Sequence, residues 1–206
     1  MIFSAVLRRS LAFGPEHVEW LGRQIAQHYP GAEFRPFTDT ELAIPHERLV
    51  NGFPTWWSKM EALRRLPEDT VVMLDLDTVL LRPIDIPVPP PGLAYMQGSP
   101  RDYDKIWGGL QISSPEFRKA VSERFYENPA GAIDACLGCD QKYYRGLWRE
   151  NIKLLNVERP DAVVSYKLHY LQQGLLPENA FVMFHGLPRP WHAPDPWIPP
   201  LFPSPE

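Results

Sequence analysis

The sequence predicts an α/β fold built on a mixed central sheet flanked by helices, and three observations carry that prediction. Residues Ile2 to Leu7 form an apolar run with branched members, followed within a few residues by a helical pattern. Thr70-Val71-Val72-Met73-Leu74 is a continuously apolar strand of the kind buried on both faces of a sheet. Strand-like and helix-like segments then alternate through the second half, which favours layers of helix and sheet over either alone. The 206 residues suit one domain rather than two, so residues 1–206 are read as a single unit.

Each element has a local reason. After the first strand, Arg8-Arg9-Ser10 and Gly14-Pro15 read as a loop and a helix start. Val18, Leu21, Ile25 and Tyr29 recur at helical spacing, Glu16 and Glu19 sit in the first turns, and Pro30-Gly31 ends the pattern. Phe34 to Phe37 reads as a second strand despite Pro36. Trp57, Met60, Leu63 and Leu66 describe one broad face of a second helix that Pro67 ends. Further strands are expected at Leu93 to Met96, Leu110 to Ile112, Val163 to Tyr166 and Phe181 to Phe184, and helices at Pro115 to Tyr126 and Asp140 to Trp148. Eight of the 24 prolines fall in Gly186 to Glu206, which predicts an extended tail over the surface.

Bulk properties exclude several classes. A net charge of −4 supplies no global positive field for nucleic acid, although Arg64, Arg65 and Arg101 allow a local patch. Apolar runs such as Val71 to Leu74 are far too short to span a membrane, and no basic region precedes residues 2–7, so a soluble cytoplasmic protein is expected. Cys136 and Cys139 form a lone Cys-x-x-Cys with no second pair of ligands, and they read as reduced cysteines rather than a zinc site.

The chemistry centres on Asp75-Leu76-Asp77. On an extended segment alternate side chains share a face, so the two carboxylates converge at the carboxyl end of a buried strand, where α/β folds place ligands. Two such charges call for a hard cation, Mn²⁺ or Mg²⁺, with coordination positions left for substrate phosphates. The same residues also fit an ordinary turn, or a haloacid-dehalogenase-type phosphatase with Asp75 as nucleophile. That last reading needs a downstream acidic pair of the Gly-Asp-x-x-x-Asp kind, which is not found. Downstream, His185, Gly186 and Arg189 combine an imidazole, close backbone approach and a cation, which suits a diphosphate, and Asp140-Gln141 offers a carboxylate and an amide for hydroxyls.

In order, Trp57-Ser58-Lys59-Met60, Val71 to Asp77, Gly108-Gly109-Leu110, Asp140-Gln141 and His185 to Trp191 resemble the retaining glycosyltransferases of family eight. The resemblance covers most of the chain. It extends to small bacterial and phage-type relatives through Trp56 to Met60, Leu74 to Thr78, Val164 to Lys167 and Phe184 to Pro190. It implies the A-type glycosyltransferase fold with a Rossmann-like nucleotide-binding half. It also implies a nucleotide-sugar donor, a uridine diphosphate sugar in the family, and a metal held by Asp75, Asp77 and His185. Donor contacts carry over to Asp75, Lys59, Gly186 and Arg189, to Gly108 and Gly109, and to Leu7 and Arg8 at the loop after the first strand. Asp140 would orient the sugar, and Gln141 would stabilise positive charge at the reacting carbon in a front-face reaction. Two departures stand out: Trp107-Gly108-Gly109-Leu110 where the family often has Asn-Ser-Gly-Val, and Lys142 where it often has Asp. The acceptor stays open among saccharide, lipid-linked glycan, protein and modified nucleic acid.

Overall fold

The computed structural model describes residues 1–66, 69–99, 102–136, 139–175, 178 and 180–202, with only the backbone of 102–104. Strand β1 (Ile2–Leu7) leads into helix α1 (Pro15–His28), followed by two short strands, β2 (Glu33–Phe34) and β3 (Phe37–Thr38), and then by β4 (Glu47–Arg48). The expected single strand at 34–37 is thus two pieces. Proline cannot donate to a ladder, and the chain breaks at Arg35-Pro36, where the Pro36 carbonyl instead accepts from Glu47 N at 2.9 Å.

The expected helix from Trp57 to Leu66 is shorter and of two kinds. Thr55–Ser58 forms a 3-10 turn, α2 covers Lys59–Arg65, and Leu66 is its extended C-cap. Pro67 lies outside the described residues. Next come β5 (Val71–Leu74), β6 (Thr78–Leu80), β7 (Ala94–Ser99) and the long β8 (Asp102–Ser113). Helix α3 (Pro115–Glu127) starts where the Ser114 hydroxyl accepts from Phe117 N at 3.3 Å, with proline in its first turn. After it follow α4 (Pro129–Ala135), α5 (Asp140–Leu147), β9 (Ile152–Leu154), α6 (Leu155–Glu158), β10 (Val163–Ser165), a π-helical stretch at Tyr166–Leu171 and β11 (Phe181–Met183).

Among the described residues eight strands form the main sheet, in the order β4-β3-β1-β5-β8-β7-β9 with β2 also paired to β1. Strands β2, β3 and β5 run parallel to β1, while β8 runs antiparallel to both β5 and β7. The sheet is therefore parallel in its first half and mixed overall, flanked by helices, as the sequence predicts. Its central strands are apolar on both faces because both faces are covered. Val71 and Met73 join Trp57, Met60 and Phe125 on one side, while Val72 and Leu74 join Phe3, Ala5, Val18 and Leu21 on the other. Trp57 stacks on Phe125 with ring centroids 5.3 Å apart, which ties the 3-10 turn to α3.

A smaller sheet, β10-β11-β6, was not legible as such. It pairs β6 antiparallel with β11, Thr78 opposite Met183. Among the described residues the tail after Gly186 has only a 3-10 turn, Pro190–His192, yet it is packed rather than merely draped. Trp191, Trp197 and Ile198 lie against buried Trp20, Tyr166 and Phe184, and the Trp20 indole donates to the Pro199 carbonyl at 3.1 Å. Asp195 accepts from the hydroxyls of Tyr166 at 2.6 Å and Tyr170 at 2.5 Å. Pro203 and Pro205 lie outside the described residues.

Candidate active site

Two registers assemble the site. Leu74 pairs with Leu110 across the antiparallel β5–β8 ladder, so the chain leaving β5 meets Gly109, whose carbonyl accepts from Asp75 N at 2.8 Å. With Thr78 opposite Met183, the second register brings the segment that follows β11, Phe184 and His185, to the cleft that Asp75 and Asp77 also line. A cleft of about 660 Å³ opens there, at the carboxyl ends of β1 and β5, and it is lined by Leu7, Arg8, Lys59, Asp75, Asp77, Gly108, Asp140, Gln141, His185, Gly186 and Arg189, with Phe13, Trp56 and Trp107.

The two aspartates converge by a different device from the one expected. Asp75 to Asp77 is not an extended segment: Thr78 N donates to the Asp75 carbonyl at 3.1 Å, closing a tight turn between β5 and β6. Each carboxylate meets a cation there. Lys59 Nζ lies 2.7 Å from Asp75 Oδ1 and also donates to the Gly108 carbonyl at 2.7 Å, while Arg189 Nη1 contacts Asp77 Oδ2. Burial opposes the charge on Lys59, but Asp75, Asp140 and Asp77 outweigh it and raise its pKa, so the ammonium stays charged. Asp77 is buried, and burial together with neighbouring Asp75 pushes its carboxyl upward against the pull of Arg189.

Asp140, the first residue of α5, is 4% exposed; its Oδ2 stands 4.0 Å from Lys59 Nζ and has no hydrogen-bond partner among the described residues. Burial raises its pKa, Lys59 partly offsetting this. The N-cap of α5 is Cys139, which provides no side-chain cap bond, and Asp140 stands in the first turn, where backbone hydrogen bonds at Gln141 and at Asp140 itself favour its carboxylate. Cys136 and Cys139 are free thiols; Gly138 between them lies outside the described residues.

His185 is held neutral: burial drives its pKa down to about 4, only partly countered by Asp75. Its ring lies against the Trp107 indole, centroids 3.8 Å apart, and its Nε2 is 3.4 Å from Gln97 Nε2. Gly186 follows at φ +76°, a left-handed conformation that favours glycine, and Lys167 Nζ donates to the His185 carbonyl at 2.6 Å. Arg189 lies 4.8 Å over the Phe13 ring.

The remaining expected residues divide. Leu7 is a buried wall, and the Arg8 guanidinium is tied to Ser58 Oγ at 2.8 Å and to the Asn51 carbonyl, which makes it a brace for the loop around the cleft. Gly109 does not line the cleft but lies behind it, where a Cβ would stand 2.7 Å from Met183 Cε and 3.3 Å from Asp75 Oδ2. Gly108 does line it, and a Cβ there would lie 3.3 Å from Asp140 Oδ2. Among the described residues no three His, Cys, Asp or Glu side chains converge closely enough to hold a metal as they stand. The expected set Asp75, Asp77 and His185 shares one cleft, but its carboxylates face Lys59 and Arg189.

Gln97 is the residue that sequence reasoning missed. It is 2% exposed, its Oε1 has no partner among the described residues, and a β-bulge between Met96 and Gln97 interrupts the β7–β8 ladder there. Bulges re-aim side chains, and Gly98 beside it was the available signal. Arg101, once grouped with Arg64 and Arg65, lies outside the described residues, and Arg64 is spent over the Tyr126 ring at 4.2 Å.

The same fold occurs in solved glycosyltransferases. The glycosyltransferase GlyE of Streptococcus pneumoniae TIGR4 matches with a TM-score of 0.68 at 11% identity, over 92% of this chain and 56% of GlyE. The chain thus spans little more than half of that protein. Galactosyltransferase LgtC in complex with donor and acceptor sugar analogs matches with a TM-score of 0.60 at 12% identity, over 94% of this chain and 90% of LgtC. An active-site Gln-to-Glu mutant of LgtC gives 0.62 at 12% identity over the same shares, 94% and 90%. No protein-family model and no curated protein sequence matches the chain. The architecture is the A-type glycosyltransferase fold, a mixed α/β sheet flanked by helices.

Proposed function

We propose that this protein is a metal-dependent retaining glycosyltransferase of the family-eight type, acting on a nucleotide-diphosphate sugar, with a uridine diphosphate sugar as the first donor to test. One observation carries the reading. On a glycosyltransferase A-type fold, a single cleft gathers a carboxylate pair with Lys59 and Arg189 against it, a neutral imidazole and an Asp-Gln pair at the carboxyl ends of β1 and β5.

The donor set suits Mn²⁺ or Mg²⁺. Asp75 and Asp77 supply hard oxygens whose mutual repulsion, with burial, already pushes Asp77 upward, and His185 is kept neutral with a lone pair to give. When bound, such an ion would neutralise charge on the departing diphosphate. The other tasks fall to this chain's side chains. Gly186 brings backbone close to the phosphates, Arg189 offers them a guanidinium fork, and Lys59 holds Asp75 and Asp140 in place. Asp140 Oδ2, without a hydrogen-bond partner among the described residues, accepts from a sugar hydroxyl. Gln141 lends its amide carbonyl to the cationic carbon as the bond to the diphosphate breaks. The acceptor hydroxyl then attacks on the face the diphosphate leaves, forming the new glycosidic bond, and its proton passes to the departing phosphate oxygen. An active-site glutamine in LgtC supports placing Gln141 at the reaction centre.

The test is to incubate the protein with Mn²⁺ and a panel of nucleotide sugars and follow nucleoside diphosphate release. Asp75→Asn and Asp77→Asn should each lower it by about 10²-fold or more. Phosphate release from simple phosphoesters, with none of the diphosphate from any nucleotide sugar, would refute the assignment in favour of the phosphatase that the Asp75 segment also allowed.

A further inference from the structure

We propose that Arg189 is the resident counter-ion of Asp77, that a divalent cation must displace it, and that metal entry thereby frees the guanidinium to grip the donor diphosphate. Metal and diphosphate then bind cooperatively through one side chain. The proposal rests on the reading of this cleft as a metal and diphosphate clamp.

Asp75 and Asp77 each meet a cation, Lys59 and Arg189, but the two cations are mounted differently. Lys59 is buried on α2, bonded to the Gly108 carbonyl as well as to Asp75, and flanked by Asp140. It cannot leave without stranding an ammonium in the core. Arg189 comes from a loop 112 residues after Asp77, its side chain is 22% exposed while that of Asp77 is 7% exposed, and its guanidinium rests on the Phe13 ring at the cleft wall. The arginine is therefore the partner that can swing out.

A divalent ion approaching Asp75 and Asp77 meets Arg189 on Asp77 Oδ2, and the two positive charges repel at short range. The ion must supplant the guanidinium there. Once released, Arg189 stays tethered beside Gly186, within the same cleft, with its planar donors facing the space an anion would enter. Linkage then requires that the diphosphate, by holding the released Arg189, tighten metal binding by the same factor as metal tightens the diphosphate.

The experiment titrates Mn²⁺ alone into the wild-type protein and into Arg189→Ala and Arg189→Gln, by calorimetry and by the electron spin resonance signal of free Mn²⁺, then repeats it with saturating uridine diphosphate. Arg9→Ala is the control, because Arg9 is an exposed cation of the same cleft and only its backbone bonds Asp39. Thermal melts verify folding, and Arg189→Gln keeps the side-chain bulk if the alanine variant is unstable. Mn²⁺ alone should bind both Arg189 variants about 5-fold or more tighter than wild type, and the enhancement by uridine diphosphate should shrink by a similar factor. Arg9→Ala should change Mn²⁺ affinity by less than about 2-fold, as an exposed and screened charge does. Equal or weaker Mn²⁺ binding by the Arg189 variants, or an equal gain in Arg9→Ala, overturns the hand-over while leaving the metal site standing. Absence of Mn²⁺ binding to the wild type, with or without the nucleotide, overturns the metal reading itself.

Discussion

Replacing Lys59 with methionine removes one charge from the core and leaves the chain's shape nearly intact, so it isolates what that ammonium does. At an effective dielectric of 20, its 2.7 Å contact with Asp75 and 4.0 Å approach to Asp140 correspond to roughly 6 and 4 kcal/mol of gross attraction. Dehydrating the ammonium offsets several kcal/mol of this, and the Asp75 side chain, 41% exposed, is screened by water. The net cost of Lys59→Met is then about 3 kcal/mol, most of it from stranding Asp140. That part depends on pH. Burial already holds the Asp140 carboxyl above the usual range, so the folded state keeps its proton where the unfolded state has lost it, and stability falls as pH rises through that window. Without Lys59 the window widens upward, so the variant should lose more at pH 8 than at pH 5.5. Urea unfolding at both pH values, with EDTA present, should show a midpoint lowered by about 1 to 1.5 M at pH 8 and by distinctly less at pH 5.5. A shift below about 0.3 M at pH 8, or one equal at both pH values, would refute the account of Lys59 as the counter-ion of buried carboxylates.

Three further outcomes follow from the geometry. Gly186→Ala places a Cβ on a backbone at φ +76° and should cost about 1 kcal/mol in urea unfolding, with a raised KM for the donor. Asp195→Asn takes the carboxylate from two tyrosine hydroxyls that pin the tail, costing about 2 kcal/mol, which a thermal melt should register as a drop of roughly 4–8 °C. For His185, burial depresses the folded pKa to about 4, so its contribution to stability is complete above the unfolded value and is lost as pH falls through about 4. His185→Gln should flatten the acid limb between about pH 6.5 and 4 by up to roughly 3 kcal/mol, measured by unfolding at four or five pH values; an unchanged limb would place that acid sensitivity elsewhere.

Much of the layer structure is legible because it is periodic. The alternation in Val71 to Leu74 divides its side chains between two packed faces, and the spacing of Val18, Leu21 and Ile25 lays α1 on one of them. Short elements were not legible: β6 is only three residues long and follows directly on the Asp75 to Asp77 turn, and β9 and α6 adjoin without a turn signal. The second helix was overextended because Trp57 sits at helical spacing from Met60, yet Thr55 at φ 41° starts a tighter turn that drives Trp57 into the core and leaves Trp56 half exposed at the cleft.

The sequence by itself determined the apolar strands, the carboxylates at the end of one of them, and the residue types available for a diphosphate, because periodicity and composition act over a few neighbours. It could not decide partners. That Lys59 bridges Asp75 and Asp140, that Arg189 meets Asp77 and that a bulge sets Gln97 beside His185 depends on strand registers and helix packing that bring together residues distant in the sequence. Only tertiary burial makes those meetings consequential, since a charge removed from water must find a counter-charge at whatever position the register brings near.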